Sequence, residues 1–181
     1  MKRLTVCAAA LIAAAFGATA FAQKTTDMGT GKGGSPHVKT DWAIDGSNIS
    51  ITYGRPALKG RTPGTDIDPF EGKEWRTGAD EQTTLVTSKA LKFGTLTVPP
   101  GTYGIHTIPV KGTWQLIISK RPKGWGIPYP AGEDLGRVPM TMGKPPAMVE
   151  RLTFTIDDTP AGGTLRIDWG NTRATIPFTV G

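Results

Sequence analysis

Asp41-Trp42-Ala43-Ile44-Asp45-Gly46-Ser47-Asn48-Ile49-Ser50-Ile51-Thr52-Tyr53 is the stretch that decides the fold. Trp42 and Ile44 lead into four turn-forming residues, Asp45 to Asn48, and Ile49, Ile51 and Tyr53 then alternate with Ser50 and Thr52. Successive side chains of an extended strand point to opposite faces, so the alternation gathers the apolar residues on one face. An Asp-Gly pair between two such runs marks a β-hairpin. Further strands rich in Thr, Ile, Val and aromatics are predicted at 83–88, 91–98, 102–108, 113–119, 151–156, 164–169 and 172–179. Pro99-Pro100-Gly101, Lys111-Gly112, Pro160-Ala161-Gly162-Gly163 and Gly170-Asn171 separate them as turns. No segment sustains a helical period beyond a single candidate turn at 149–152. With Gly 24 and Pro 15 among 181 residues, a helical bundle is excluded. About nine short strands with tight turns predict an all-β, single-domain antiparallel β-sandwich over 40–181, with a β-barrel-like closure as the alternative. Two connections are long, 56–74 and 121–147, and loops of that size commonly carry function.

Upstream of this domain the chain changes character twice. Lys2 and Arg3, an apolar run over 4–16, and Ala20-Phe21-Ala22 read as a signal peptide over 1–22. The expectation is therefore an exported protein, periplasmic or secreted. The apolar run is shorter than the ~20 residues that cross a bilayer, so no membrane span is predicted. Cys7, the one cysteine, falls within this leader, which removes disulfides and thiol chemistry from the mature chain. The formal charge of +6 drops to +4 without Lys2 and Arg3, and no Lys/Arg tract points to nucleic acid. Residues 23–39 are polar, with Gly29, Gly31, Gly33 and Gly34 close together, and read as a flexible Gly-rich arm.

The residues restrict the chemistry. The only histidines are His37, in the arm, and His106. Zinc-type His spacing is missing, so neither a metal site nor a cofactor is predicted. No G-x-S-x-G elbow is present either. His106 shares a strand face with Gly104 and Ile108, opposite Tyr103 and Ile105, where it is either a partly buried, hydrogen-bonded histidine or a general base. The densest candidate surface lies between Tyr53 and Glu81. It carries Tyr53, Arg55, Lys59, Arg61, Trp75, Arg76 and Glu81, and the basic and acidic side chains of its long connection nearly balance. Arginine forks suit carboxylate or phosphate, and adjacent aromatics stack on guanidinium or ligand. The competing reading is that Arg76 or Arg55 pairs with Asp80 or Glu81 to pin the loop to the sheet. In the second loop, Trp125 and Tyr129 stand between prolines and glycines, as a ligand platform or as a cap on the domain's end.

Three runs carry a family resemblance: Tyr53-Gly54-Arg55-Pro56-Ala57-Leu58-Lys59-Gly60-Arg61, Trp75-Arg76-Thr77-Gly78-Ala79-Asp80-Glu81, and 100–109 around Tyr103 and His106. In that order they resemble an exported bacterial family catalogued as domain of unknown function 2911, over about 35–180. The resemblance implies a mainly β exported domain and carries no established activity. The family's usual second run has asparagine where Asp80 stands, and an aromatic is common where His106 stands. The reading favoured is a non-catalytic binding or interaction module. Its partner would be an anionic small molecule, a glycan, or an envelope protein offering an acidic segment. A cell-envelope hydrolase using Glu81 or Asp80 as acid/base, with His106 a further candidate, is the second reading, and a structural envelope protein the third.

Overall fold

Asp45 and Gly46, with φ of 47° and 71°, form the two-residue turn of the opening hairpin, closed by the Ile44–Ser47 pair. Both φ values are positive, as a turn that matches the strand twist requires, and glycine adopts the second at no steric cost. The computed structural model describes residues 23–181 except residue 111. The leader expected at 1–22 lies outside the described residues. In chain order the strands are β1 (Lys24–Thr30), β2 (Pro36–Ile44), β3 (Ser47–Gly54), β4 (Ala79–Thr87), β5 (Leu91–Phe93), β6 (Leu96–Val98), β7 (Gly101–Val110), β8 (Thr113–Ser119), β9 (Asp134–Gly143), β10 (Val149–Thr159), β11 (Gly162–Gly170) and β12 (Thr172–Val180).

These strands form one antiparallel sheet in the order β1-β2-β3-β4-β7-β8-β9-β12-β11-β10, with the short β5–β6 hairpin attached to β12. β9 explains why there is one sheet. Residues 134–140 of β9 pair with β8, and residues 141–143 pair with β12, so the sheet bends there and continues. The architecture is accordingly a curled half-barrel, the barrel-like form of the expected all-β domain. The alternating apolar residues meet across its interior. Tyr53 packs edge-on to Phe154 at 4.7 Å, Trp75 stacks on Trp169 at 5.6 Å, and Phe93 meets Phe178 at 5.3 Å. Each such fully buried side chain contributes about 1.5–3 kcal/mol through removal of apolar surface from water.

The free edge of β10 is met by the residues that leave β3. Ala57 bridges Arg151, Leu58 donates its N–H to the Glu150 carbonyl (2.9 Å), and Leu152 donates to the Pro56 carbonyl (3.1 Å). Arg55 adds Nε to the Leu152 carbonyl and Nη2 to the Thr153 hydroxyl, and the Phe154 N–H donates to the Tyr53 hydroxyl at 3.1 Å. This seam ties the end of β3 and the residues after it to the β10 edge of the curled sheet.

Four expectations change. The segment 23–39 is not a loose arm: it forms β1, a tight turn at 31–35 and the start of β2. All seven residues of β1 are exposed, so hydrogen bonding to the β2 edge, and no apolar burial, sets its course. The strand predicted at 91–98 is the β5–β6 hairpin, turned at Gly94 with φ 57°. The connection predicted over 121–147 contains β9, which leaves irregular stretches at 121–133 and 144–147. Finally, 149–152 is extended and belongs to β10.

Candidate functional site

The first run, Tyr53 to Arg61, spends its residues unequally. Tyr53 is buried in the core, and its hydroxyl is held above its ordinary pKa by burial. Arg55 is committed to the β10 seam. Beyond the seam the chain turns back through Lys59, at φ 50°, whose N–H is held by the Glu150 carboxylate at 2.9 Å. Arg61 lies along this turn, donating Nε to the Leu58 carbonyl and Nη2 to the Ala57 carbonyl, each at 3.0 Å. Its side chain lines a recess of about 210 Å³. Lys59, Arg61 and Arg151 supply its charge, and Gly33, Gly34 and Ser35 of the β1–β2 turn close the other side. No carboxylate lines this recess, and none of the three cations forms an ion pair with the described residues.

Asp80 holds that turn in place. It sits at φ 63° and is only 4% exposed. One carboxylate oxygen accepts the Gly33 N–H at 2.6 Å, and the other meets His37 Nε2 at 3.1 Å. The backbone at Gly31 passes so close that a Cβ there would collide with both Asp80 and His37. Glu81, the next residue of β4, is half-exposed and lies 3.7 Å from the same His37 nitrogen. His37, expected in a flexible arm, is therefore an anchored residue of β2. Asp80 and Glu81 share it as a partner instead of pairing with Arg76 or Arg55.

The second run is locked to the third. Trp75 exchanges two backbone hydrogen bonds with Thr107, at 2.8 and 2.9 Å, and the Thr77 hydroxyl donates to the Thr107 hydroxyl. Trp75 itself is buried. Arg76 points the other way. Its guanidinium stacks over the Trp125 ring at 5.0 Å and donates to the Trp125 carbonyl at 3.0 Å. Burial lowers its pKa, against the pull of Asp80, Asp68 and Glu81. Gln82 and Thr84 also bond the carbonyls of Arg121 and Pro122, so the 120–133 loop is tied down on the outer face of β4 and β7.

His106 lies beneath this loop, fully buried, with its ring edge-on to Tyr129 at 5.0 Å. Neither ring nitrogen has a partner of full hydrogen-bond geometry, although the Gly126 backbone comes near the ring. Burial lowers its pKa from 6.5 to about 4, while the Gly126 backbone and the Asp134 and Glu74 carboxylates oppose the shift. The Tyr129 hydroxyl donates to Asp134, which also takes Arg137 Nε at 2.6 Å; burial and the Asp134 carboxylate both raise the pKa of Tyr129. Trp125, 43% exposed, is the outer surface of this cluster.

The predicted set thus divides among four places, apart from Trp75, which belongs to the core. Lys59 and Arg61 meet in the cationic recess, Arg55 and Tyr53 hold the β10 seam, Asp80 and Glu81 share His37, and Arg76, Trp125, Tyr129 and His106 form the loop cluster. Arg151, Gly33 and Gly34 complete the recess and were not foreseen. Alternation on β10 places Arg151 outward, but no local signal indicates that it meets Arg61.

Comparison with known proteins gives a family match. The family model described as Protein of unknown function (DUF2911) covers residues 35–178, which include all three runs. No curated protein and no solved structure matches the chain.

Proposed function

We propose that this chain, which belongs to the DUF2911 family, is an exported, non-catalytic binding module for a small anionic ligand carrying a carboxylate or phosphate. The observation that carries the reading is the recess in which Lys59, Arg61 and Arg151 converge without a carboxylate among its lining residues. Three like charges held side by side repel one another, and an anion placed among them relieves that repulsion. Arg61 is already oriented by two hydrogen bonds to its own turn, so less side-chain freedom is lost when its free N–H groups engage a ligand. A space of about 210 Å³ suits one anionic group better than a protein strand. Asp80, the carboxylate a hydrolase would employ, already has its oxygens engaged by the Gly33 N–H and His37. That arrangement favours a supporting role for Asp80 over acid/base work.

The test is thermal unfolding at low ionic strength with inorganic phosphate, citrate and succinate as probes. At tenfold excess over Kd, a ligand confined to the folded state stabilises it by about 1.4 kcal/mol. For a domain of this size that corresponds to a rise of roughly 3–6 °C. Lys59→Ser and Arg151→Ser, both at exposed positions, are expected to abolish the rise while leaving the unliganded midpoint nearly unchanged. If none of the three anions shifts the midpoint, or if the shift survives both substitutions, the recess is not the binding site.

A further inference from the structure

A second concavity, of about 430 Å³, opens at one end of the half-barrel among the 63–75 segment, the β7–β8 and β11–β12 hairpins and the end of β9. Its size falls within the ordinary range of small-molecule sites. Three of the chain's five tryptophans line it: Trp75, Trp114 and Trp169. Trp75 and Trp169 are nearly parallel, at 11° and 5.6 Å, and Trp114 stands at 90° to Trp75, at 6.3 Å. Trp75 and Trp169 are buried and stack on each other behind the cleft, so the half-buried Trp114 is the indole open to a ligand, and Leu152 and Ile167 back it with apolar surface. The rim is different. Glu71, Lys144 and Asn171 are exposed there and make no side-chain hydrogen bond or ion pair with the described residues. They present an acceptor, a donor and a group that is both.

We infer that this cleft binds a neutral saccharide of one or two rings. A sugar ring combines a C–H-rich face, which packs on indole, with hydroxyls that donate and accept at its perimeter. A wholly apolar ligand would strip water from the rim groups without replacing their hydrogen bonds, at about 1–3 kcal/mol for each group left unpaired. A simple anion would meet Glu71. The inference is independent of the cationic recess, because none of the side chains that line the recess lines this cleft.

The experiment is titration of the chain with cellobiose, maltose and N,N′-diacetylchitobiose, read by tryptophan emission and by calorimetry. At least one disaccharide is expected to give a saturable change in both signals. Trp114→Ala and Asn171→Ala are each expected to weaken that binding at least tenfold, whereas Lys59→Ser leaves it intact. Asn171 lies in an exposed hairpin turn, so its variant keeps the test valid if Trp114→Ala does not fold. The inference is overturned if none of the three sugars gives a saturable response, or if the response persists in the folded cleft variants. It is equally overturned if anilinonaphthalene sulfonate occupies the cleft and no sugar displaces it.

Discussion

Replacing Asp80 by alanine and, separately, by asparagine tests how the β1–β2 turn is held against the recess. Asp80 supplies two hydrogen bonds from a position only 4% exposed, to the Gly33 N–H and to His37 Nε2. Hydrogen bonds to a charged group contribute about 1.5–3 kcal/mol each, and their loss is not fully additive because both hold the same turn. Alanine must also adopt φ 63°, a left-handed conformation that Asp and Asn tolerate better than Ala and that costs roughly 1 kcal/mol. Asp80→Ala is therefore expected to lose about 3 kcal/mol in total, a drop of roughly 6–12 °C in Tm for a domain of this size. Asp80→Asn keeps an acceptor for Gly33, a possible donor to His37 and a side chain suited to that φ, so its loss is expected to stay below about 1 kcal/mol. Urea unfolding followed by tryptophan fluorescence measures both differences. The amides of residues 31–35 should also exchange faster with solvent in Asp80→Ala alone. The reasoning fails if Asp80→Ala stays within about 1 kcal/mol of the parent, or if asparagine is as damaging as alanine.

Two further outcomes follow from the seam and from the buried histidine. Tyr53→Phe removes the hydroxyl that accepts the Phe154 N–H and leaves a buried donor without a partner, so it should cost about 1–3 kcal/mol with the core otherwise intact; equal stability by urea unfolding would show that the seam does not depend on that bond. His106 titrates at about 4 when folded against 6.5 when unfolded, so between these values the unfolded chain holds the extra proton. Stability should be complete above about pH 6.5 and fall by up to about 3 kcal/mol as pH approaches 4. His106→Phe should flatten that part of the stability–pH curve, and an unchanged slope would refute the assignment.

The opening hairpin was legible because its inner face is apolar at every second position and its turn contains Asp-Gly. The same alternation runs back from Trp42 through Thr40 to Val38, all buried on β2, and so reached the neighbourhood of His37. What hid it was the glycine-rich composition just upstream. β1 was not legible, since it has no buried residue and exists through pairing with β2. β9 was obscured by Gly136 and Pro139, although Val138 and Met140 keep the period of two. Pro139 pairs with Gln115 of β8, while pairing with β12 begins only at Thr141, so one side of the strand at Pro139 has no ladder partner to lose. The site was legible by type and not by grouping. Arginines beside aromatics stood out, yet the partners of Arg55, Arg61 and Arg76 are carbonyls, a threonine hydroxyl and a tryptophan ring, fixed by tertiary approach and invisible to local spacing.

β1 has a consequence for how these molecules keep apart in solution. It adds nothing to the core, but its hydrogen bonds occupy the outer rim of β2, where Val38, Thr40 and Trp42 would otherwise sit on an open edge strand. The strand now at the boundary carries Lys24 and Asp27, a glycine and a register shift, all of which discourage a neighbouring molecule from adding a strand of its own. A polar, sparsely anchored ribbon thus serves as a bumper against edge-to-edge aggregation, and the turn that Asp80 fastens is what keeps it in place.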